Sequence, residues 1–416
     1  MSTRDIFLFV ESNTSGTGRL FAERVRSFAR PIMLVKDASR YPYIRDLDLQ
    51  HRVVDTSDFS ALSRAVQALS AEGVIRGVWS TSEYYIASAA RLAATLGLPW
   101  TLGDYRAIER CRSKAVQRRI LSQAGIIQPR SRYVRSLASL AGRWEQSGRP
   151  AVLKPTNGSG SVGVRLIRDK QDLMAYLAAA GRADDGYLME EYIDGAQYSV
   201  ELFSLTSIGV TRQRYFPPPS FIAQGHEFPA TVDRRVADML ERTAVDACRA
   251  LGLLNGPAHV EIRVADGKAY VIEVNPRLAG GFIPELVRLA SGVDLIQETC
   301  RFACGGTPRL QPTRENCAAI RFILATRAGI LQSATLPTGR ELHPSVDDVQ
   351  LYKRLGDRIE VFGDFRDRLG HVIASHPLPA IAILAALQAA GLVALATEDP
   401  SIASSGAREP VIRAVA

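Results

Sequence analysis

Between His259 and Arg277 the chain alternates apolar and polar residues so regularly that the segment reads as a two-stranded hairpin with one chemically loaded face. Val260, Ile262, Val264, Tyr270, Ile272 and Val274 fall on one side, and His259, Glu261, Arg263, Glu273 and Asn275 on the other. A three-residue turn at Asp266-Gly267-Lys268 sets Glu261 opposite Glu273 and makes the two apolar faces coincide. A two-residue turn sets Glu261 opposite Ile272 and mixes the faces, so the pattern predicts the longer turn.

Two carboxylates facing each other at about 5 Å repel by roughly 3 kcal/mol at an effective dielectric near 20, so a positive charge has to offset them. Asn275 adds a carbonyl oxygen on the same face, and an all-oxygen set suits Mg²⁺ better than zinc. Arg277 places a guanidinium just past the strand. Read in isolation, the same hairpin is equally a solvated surface whose acids are neutralised by Arg263 and Lys268, and the rest of the chain has to decide.

The chain has 416 residues, 46% hydrophobic and 23% charged, enough to bury large cores in several domains. Its 51 basic residues are dispersed among 43 acidic ones, for a net charge of +8, without the basic stripe and interleaved aromatics of a nucleic-acid binder. Five scattered cysteines are the usage of a reduced, cytoplasmic protein, and Cys300 and Cys304 lack nearby histidines or a second pair to make a metal site. No signal peptide is expected at the start. Pro377 to Thr397 is uncharged and long enough to span a bilayer, but its alanines, Gln388, Gly391 and prolines predict a packed helix. A loose tail is expected from Glu398 onward.

Ile6 to Val10, the turn Glu11 to Gly18 and the helix from Arg19 form a Rossmann-type opening, continued by strands at Ile32 to Lys36 and Gly77 to Ser80. Both strand-to-helix turns carry hydroxyl residues and one acid, Glu11 or Glu83. Such turns can meet a substrate or simply cap a helix, as Ser80 or Ser82 would. Further on, Ala151 to Ile167 holds a glycine-rich loop between two strands. Gly158, Gly160 and Gly163 satisfy a dinucleotide fingerprint literally, but that motif needs a following helix, and Val164 to Ile167 is β-forming. A hairpin loop whose amides close over phosphates, with Lys154 beneath, is the chemically sensible reading; a purely structural glycine hairpin is the alternative. Leu188 to Glu201 then reads as strand, bend and strand, with Glu190 near its edge.

Lys114, Lys154 with its glycine loop, Glu190 to Gln197, and Glu261, Glu273, Asn275 and Arg277 stand in an order that resembles the ATP-grasp superfamily over nearly the whole chain. Phe9 to Asn13, Ser80 to Glu83, Gln224 to Ala230 and Asn255 to His259 look most like its carboxylate–amine ligases of the L-amino acid ligase type. The resemblance implies an α/β ATP-grasp fold: a Rossmann-like pre-ATP-grasp domain (1–112), a linking helix and lid (113–187), a nucleotide- and metal-binding subdomain (188–310) and a C-terminal extension (311–416). Lys114 and Lys154 would bind the phosphates of ATP, and Gly158, Ser159, Gly160, Ser161 and Gly163 would close over them. Glu190, Tyr192 and Ile193 would hold adenine, and Gln197 the ribose. Glu261, Glu273 and Asn275 would hold two Mg²⁺ or Mn²⁺ ions, with Arg277 and His226 as catalytic residues and a structural His226 as the alternative.

Substrate contacts are expected from Glu11, Ser82, Glu83, Gly280 and Gly281. The implied reaction joins a small-molecule carboxylate to an amine through an acyl phosphate, with a carboxylating enzyme that uses bicarbonate, or a non-catalytic nucleotide binder, as alternatives. Dipeptide ligases of this kind tend to carry an acid two residues ahead of the Gly225-His226 pair, where this chain has Ala223; that leaves room for a hydroxy or polycarboxylic acid as donor. No nucleic acid or membrane partner is expected, and a homodimer is compatible with the resemblance.

Overall fold

The structure, a computed structural model, describes residues 5–14, 16–98, 105–147, 150–158, 160–180, 185–218 and 221–398, with the backbone of 412–413. The opening domain is a four-stranded parallel sheet in the order Gln50–Val53, Arg30–Val35, Asp5–Val10, Val74–Trp79. Its apolar runs are buried on both faces, as a parallel sheet covered by helices requires. The edge strand Gln50–Val53, exposed at every position, has no apolar alternation and escaped the sequence reading.

A second four-stranded sheet, Ser131–Val134, Tyr187–Glu191, Ala151–Pro155 and Arg165–Ile167, has a small core of its own around Leu140, Leu153, Leu173 and Tyr187. This is the lid. Because Tyr187–Glu191 pairs with Ala151–Pro155, Glu190 belongs to the lid sheet, and the expected boundary after residue 187 cuts through a strand.

The third unit is an eight-stranded sheet. It runs from Lys268–Asn275 through Pro257–Ala265, Ala196–Phe203, Thr206–Tyr215, Ala223–Phe228, Cys317–Leu324 and Arg368–His376 to Val346–Leu351. The helix Pro379–Gly391 lies on its far end, where Ala385 and Ala386 meet Ala319 and Ala374; small side chains permit that close approach. No helix among the described residues is long and apolar enough to cross a membrane. Ile412–Arg413 pairs with Ala394 and Leu395, and the rest of the expected loose tail lies outside the described residues.

Glu261 does pair with Glu273, but not for the expected reason. The turn has two residues, Asp266 and Gly267, both at positive φ (49° and 69°), and Ala265 pairs with Lys268. A bulge at Ile272 adds the missing residue: Ile262 pairs with Val271, and the next pair is Glu261 with Glu273. The buried face of the second strand is therefore Ala269, Val271 and Val274, rather than Tyr270, Ile272 and Val274.

Candidate active site

Four elements converge on the carboxylate pair. Ser113 caps the helix Lys114–Gln123, which presents Lys114, Gln117 and Arg118 to the open edge of the large sheet. Gln117 accepts from Val274 N–H and donates to Val274 C=O, both at 3.0 Å, as a neighbouring strand would. Arg118 donates to the carbonyls of Val271 (3.2 Å) and Ile272 (2.7 Å), so it grips the bulge. An exposed sheet edge is thus closed by two side chains of one helix.

The charges are paired in series. Lys114 Nζ lies 2.8 Å from Glu273 Oε1 and donates to the Gly158 carbonyl of the glycine loop at 2.7 Å. Burial alone would weaken the Lys114 charge, but Glu273, Glu83 and Glu261 outweigh it and hold the amine more basic than usual. Lys154 Nζ sits 2.6 Å from Glu190 Oε2, while Arg118 Nε donates to Glu190 Oε1 at 2.7 Å. Burial works against the Glu190 charge, yet Arg118 and Lys154 prevail and its pKa falls to about 2. Burial, reinforced by Arg118, also leaves Lys154 less basic than usual.

Glu261 is braced by Gln197, whose Nε2 donates to Glu261 Oε2 at 3.2 Å, and by His259 Nε2 at 3.4 Å. His259 Nδ1 lies 3.0 Å from Glu201; against the effect of burial, the two acids raise its pKa to about 10. The facing carboxylates are thus balanced by Lys114 and His259, not by Arg263 and Lys268 as the solvated-surface reading required.

Several expected roles change. Both Glu190 oxygens are engaged and the residue is 3% exposed, so it orders Lys154 instead of meeting adenine. Arg263 occupies the Ile193 carbonyl at 2.7 Å and the Gln197 amide oxygen at 3.0 Å, with its guanidinium over the Tyr192 ring. Gln197 is accordingly a brace for Glu261 and not a free ribose acceptor. Glu11 turns its carboxylate away from the site toward Lys36 N (2.7 Å), Thr56 Oγ1 (2.8 Å) and the Tyr41 hydroxyl, which makes it an internal support and not a substrate contact.

Glu83, in contrast, pairs with Arg277 Nη2 at 2.8 Å, which brings the opening domain's second turn, with Ser82, to the end of the hairpin. Gly281, at φ 61°, lies against His226: a Cβ there would stand 2.7 Å from Nε2. The His226 ring is buried with Nδ1 unpartnered among the described residues, and burial together with Arg368 and His259 pushes its pKa well below the usual value, so it is a neutral imidazole.

Above the pair, Gly158, Gly160 and Gly163 take φ of 145°, 66° and 70°, and Ser161 64°. These are backbone conformations that open a loop's amides. Ser159 lies outside the described residues. The loop leads into the strand Arg165–Ile167, not a helix, which rules out the dinucleotide fingerprint. It touches the C-terminal region: Phe365 N donates to Gly160 O at 3.4 Å, and Arg165 donates to the carbonyls of Phe362 and Gly363, each at 2.9 Å.

Two carboxylates and an amide on one face suit a hard cation bound partly through its ligand's phosphates. The 4%-exposed Asn275 has no side-chain hydrogen bond among the described residues, which leaves its amide oxygen available to such an ion. The described residues contain no cluster of three His, Cys, Asp or Glu able to bind a metal by themselves. All five cysteines are free thiols.

A glycine hairpin, two buried lysines and an acidic strand pair under a separate lid define the class as an ATP-using enzyme of the ATP-grasp fold. Residues 147–285 match the ATP-grasp domain model and residues 321–398 the model of L-amino acid ligase C-terminal domain 2. An uncharacterised Sinorhizobium fredii protein, y4rH, is 36% identical over 381 residues, covering 89% of this chain and 78% of that one. Carnosine synthase 1 of Mus musculus is 25% identical over 56% of this chain; the match spans 30% of that longer protein. The crystal structure of an L-amino acid ligase from Bacillus licheniformis superposes with a TM-score of 0.79 at 20% identity, covering 95% of this chain and 99% of that one. The chain belongs to the ATP-grasp carboxylate–amine ligases, with the C-terminal domain of the L-amino acid ligase type.

Proposed function

We propose that this enzyme joins a small organic acid to an amine as an amide, with conversion of ATP to ADP and phosphate. The observation that carries this reading is the series Glu190–Lys154 and Glu273–Lys114–Gly158, which sets two lysines between an acidic strand pair and a phosphate-closing loop. In the first step a carboxylate oxygen of the donor attacks the γ-phosphorus, the β–γ anhydride bond breaks, and ADP leaves an acyl phosphate. In the second, the amine's lone pair attacks the activated carbonyl, phosphate departs, and the amine's surplus proton passes to a base.

Lys114 and Lys154 would hold the phosphates, the glycine loop would exclude water, and Arg277, steadied by Glu83, would meet the donor carboxylate. His226, being neutral, has a lone pair to accept the amine's proton. Glu261, Glu273 and Asn275 would hold two Mg²⁺ ions, which neutralise triphosphate charge when bound. The cytoplasm is the proposed compartment and a homodimer the proposed assembly, which light scattering checks.

The test is ADP release from purified enzyme, ATP and Mg²⁺ over a matrix of acids and amines. Turnover that needs one acid and one amine without bicarbonate is expected, and Glu273→Gln should abolish it. Turnover with bicarbonate alone would make the protein a carboxylating enzyme instead, and ADP formation surviving Glu273→Gln would remove Glu273 from the metal set.

A further inference from the structure

Arg368 has a guanidinium without a counter-ion. It opens the strand Arg368–His376, and among the described residues no carboxylate pairs with it. Its Nε is buried without a hydrogen-bond partner, and its Cζ lies 4.0 Å above the Phe322 ring. Other buried arginines of the site are satisfied: Arg118 by Glu190, Arg263 by the Ile193 carbonyl, Arg321 by Glu227 at 2.6 Å. A half-dry guanidinium with no acid is costly, and it is retained where an anion arrives from outside.

Its place shows which anion. A Cβ on Gly281 would stand 3.5 Å from Arg368 Nη1 and 2.7 Å from His226 Nε2, so Arg368 and His226 flank the loop that follows Arg277. Its charge acts on the Tyr215 phenol, which in turn feels Glu261 and Glu273. Arg368 therefore reaches the neighbourhood of His226 and the carboxylate pair from the C-terminal domain. The phosphates have Lys114 and Lys154, and the reacting carboxylate has Arg277.

We propose that Arg368 is a second carboxylate receptor, which seats a carboxylate that is not activated and survives in the amide product. The proposal rests on the ligase reading above. Two sources share this chemistry: the acceptor, if it is an amino acid, or the donor, if it is a dicarboxylic acid.

The experiment compares wild type with Arg368→Met and Arg368→Lys. Donors are the protein L-amino acids, lactate, malate, succinate and butyrate; acceptors are L-amino acids, their carboxamides, and hydroxylamine, which traps an acyl phosphate as a hydroxamate. Loss of a charge-assisted contact should raise KM for the carboxylate-bearing substrate about 10- to 100-fold in Arg368→Met, with KM for ATP unchanged and Arg368→Lys intermediate.

If the acceptor supplies the carboxylate, amino acids lose this advantage over their carboxamides while hydroxamate formation stays at the wild-type rate. If the donor supplies it, hydroxamate formation from malate or succinate falls and that from butyrate or lactate does not. Equal loss with carboxylate and carboxamide, or KM values within twofold of wild type throughout, overturns the proposal and leaves the ligase reading standing. Absence of ADP formation by the wild type with every pair overturns the ligase reading, and this proposal with it.

Discussion

The residue that organises the site is Arg118, which touches no expected ligand. Its guanidinium joins Glu190 to the carbonyls of the bulge and so fixes where Lys154 points. Replacing it with methionine leaves Glu190 to Lys154 alone and strips the charged donors from the carbonyls of Val271 and Ile272. Hydrogen bonds from a charged group are worth about 1.5–3 kcal/mol each, and urea denaturation should show a loss of at least that size. The same cluster sets an acid limit. Glu190 is depressed from 4.5 to about 2, so its contribution to stability is complete above pH 4.5 and is lost as pH falls toward 2. Thermal melts of wild type should decline across that window, and Glu190→Gln, less stable at neutral pH, should decline less.

Glu261, Glu273 and Asn275 stood out in the sequence by strand alternation, Lys154 by its place before a glycine-rich loop, and Lys114 through the order of motifs that resembles the ATP-grasp superfamily. Arg118, one helical turn past Lys114, escaped the sequence reading. Its partners in Glu190 and the hairpin lie far away in sequence. Arg368 gave no signal, since an unpaired arginine looks like any other until its surroundings are known. Glu11 misled because an acid in a strand-to-helix turn reads the same whether it faces a substrate or its own sheet.

At the level of the element, the hairpin shows how a correct pairing can hide a wrong path. Ala269 to Ile272 is a run of apolar residues, across which strand phase cannot be read, and the bulge sits at its end. Pairing is continuous on both sides of Ile272, so deleting that one residue preserves Glu261 opposite Glu273. What disappears is the carbonyl held by Arg118 at 2.7 Å. The deletion variant should fold, lose about 2 kcal/mol for the charged hydrogen bond, and bind ATP more weakly. Unfolding curves and the KM for ATP check this. An unchanged KM would mean that the bulge serves the fold and not the nucleotide.

Across the whole molecule, the lid is clasped from the C-terminal side. Phe365 packs so closely on Gly160 that a Cβ there would collide with its ring, and Arg165 holds the neighbouring carbonyls. Phe365→Ala should loosen this clasp without altering the phosphate lysines. Water would then reach the acyl phosphate, so more ADP should form per amide, and proteolysis within residues 157–163 should quicken. An unchanged ratio of ADP to amide would show that closure does not depend on Phe365.

Glu273 and Arg368 lie on strands of one continuously hydrogen-bonded sheet, whereas the glycine loop belongs to another sheet with a separate core. Movement of the lid unit would leave the interval between those two residues untouched. With Glu273 on the metal and Arg368 on a surviving carboxylate, as proposed above, the order of strands between them sets the length of product that fits, and exchanging lid sequences between relatives should change the rate of turnover and not the length of product accepted.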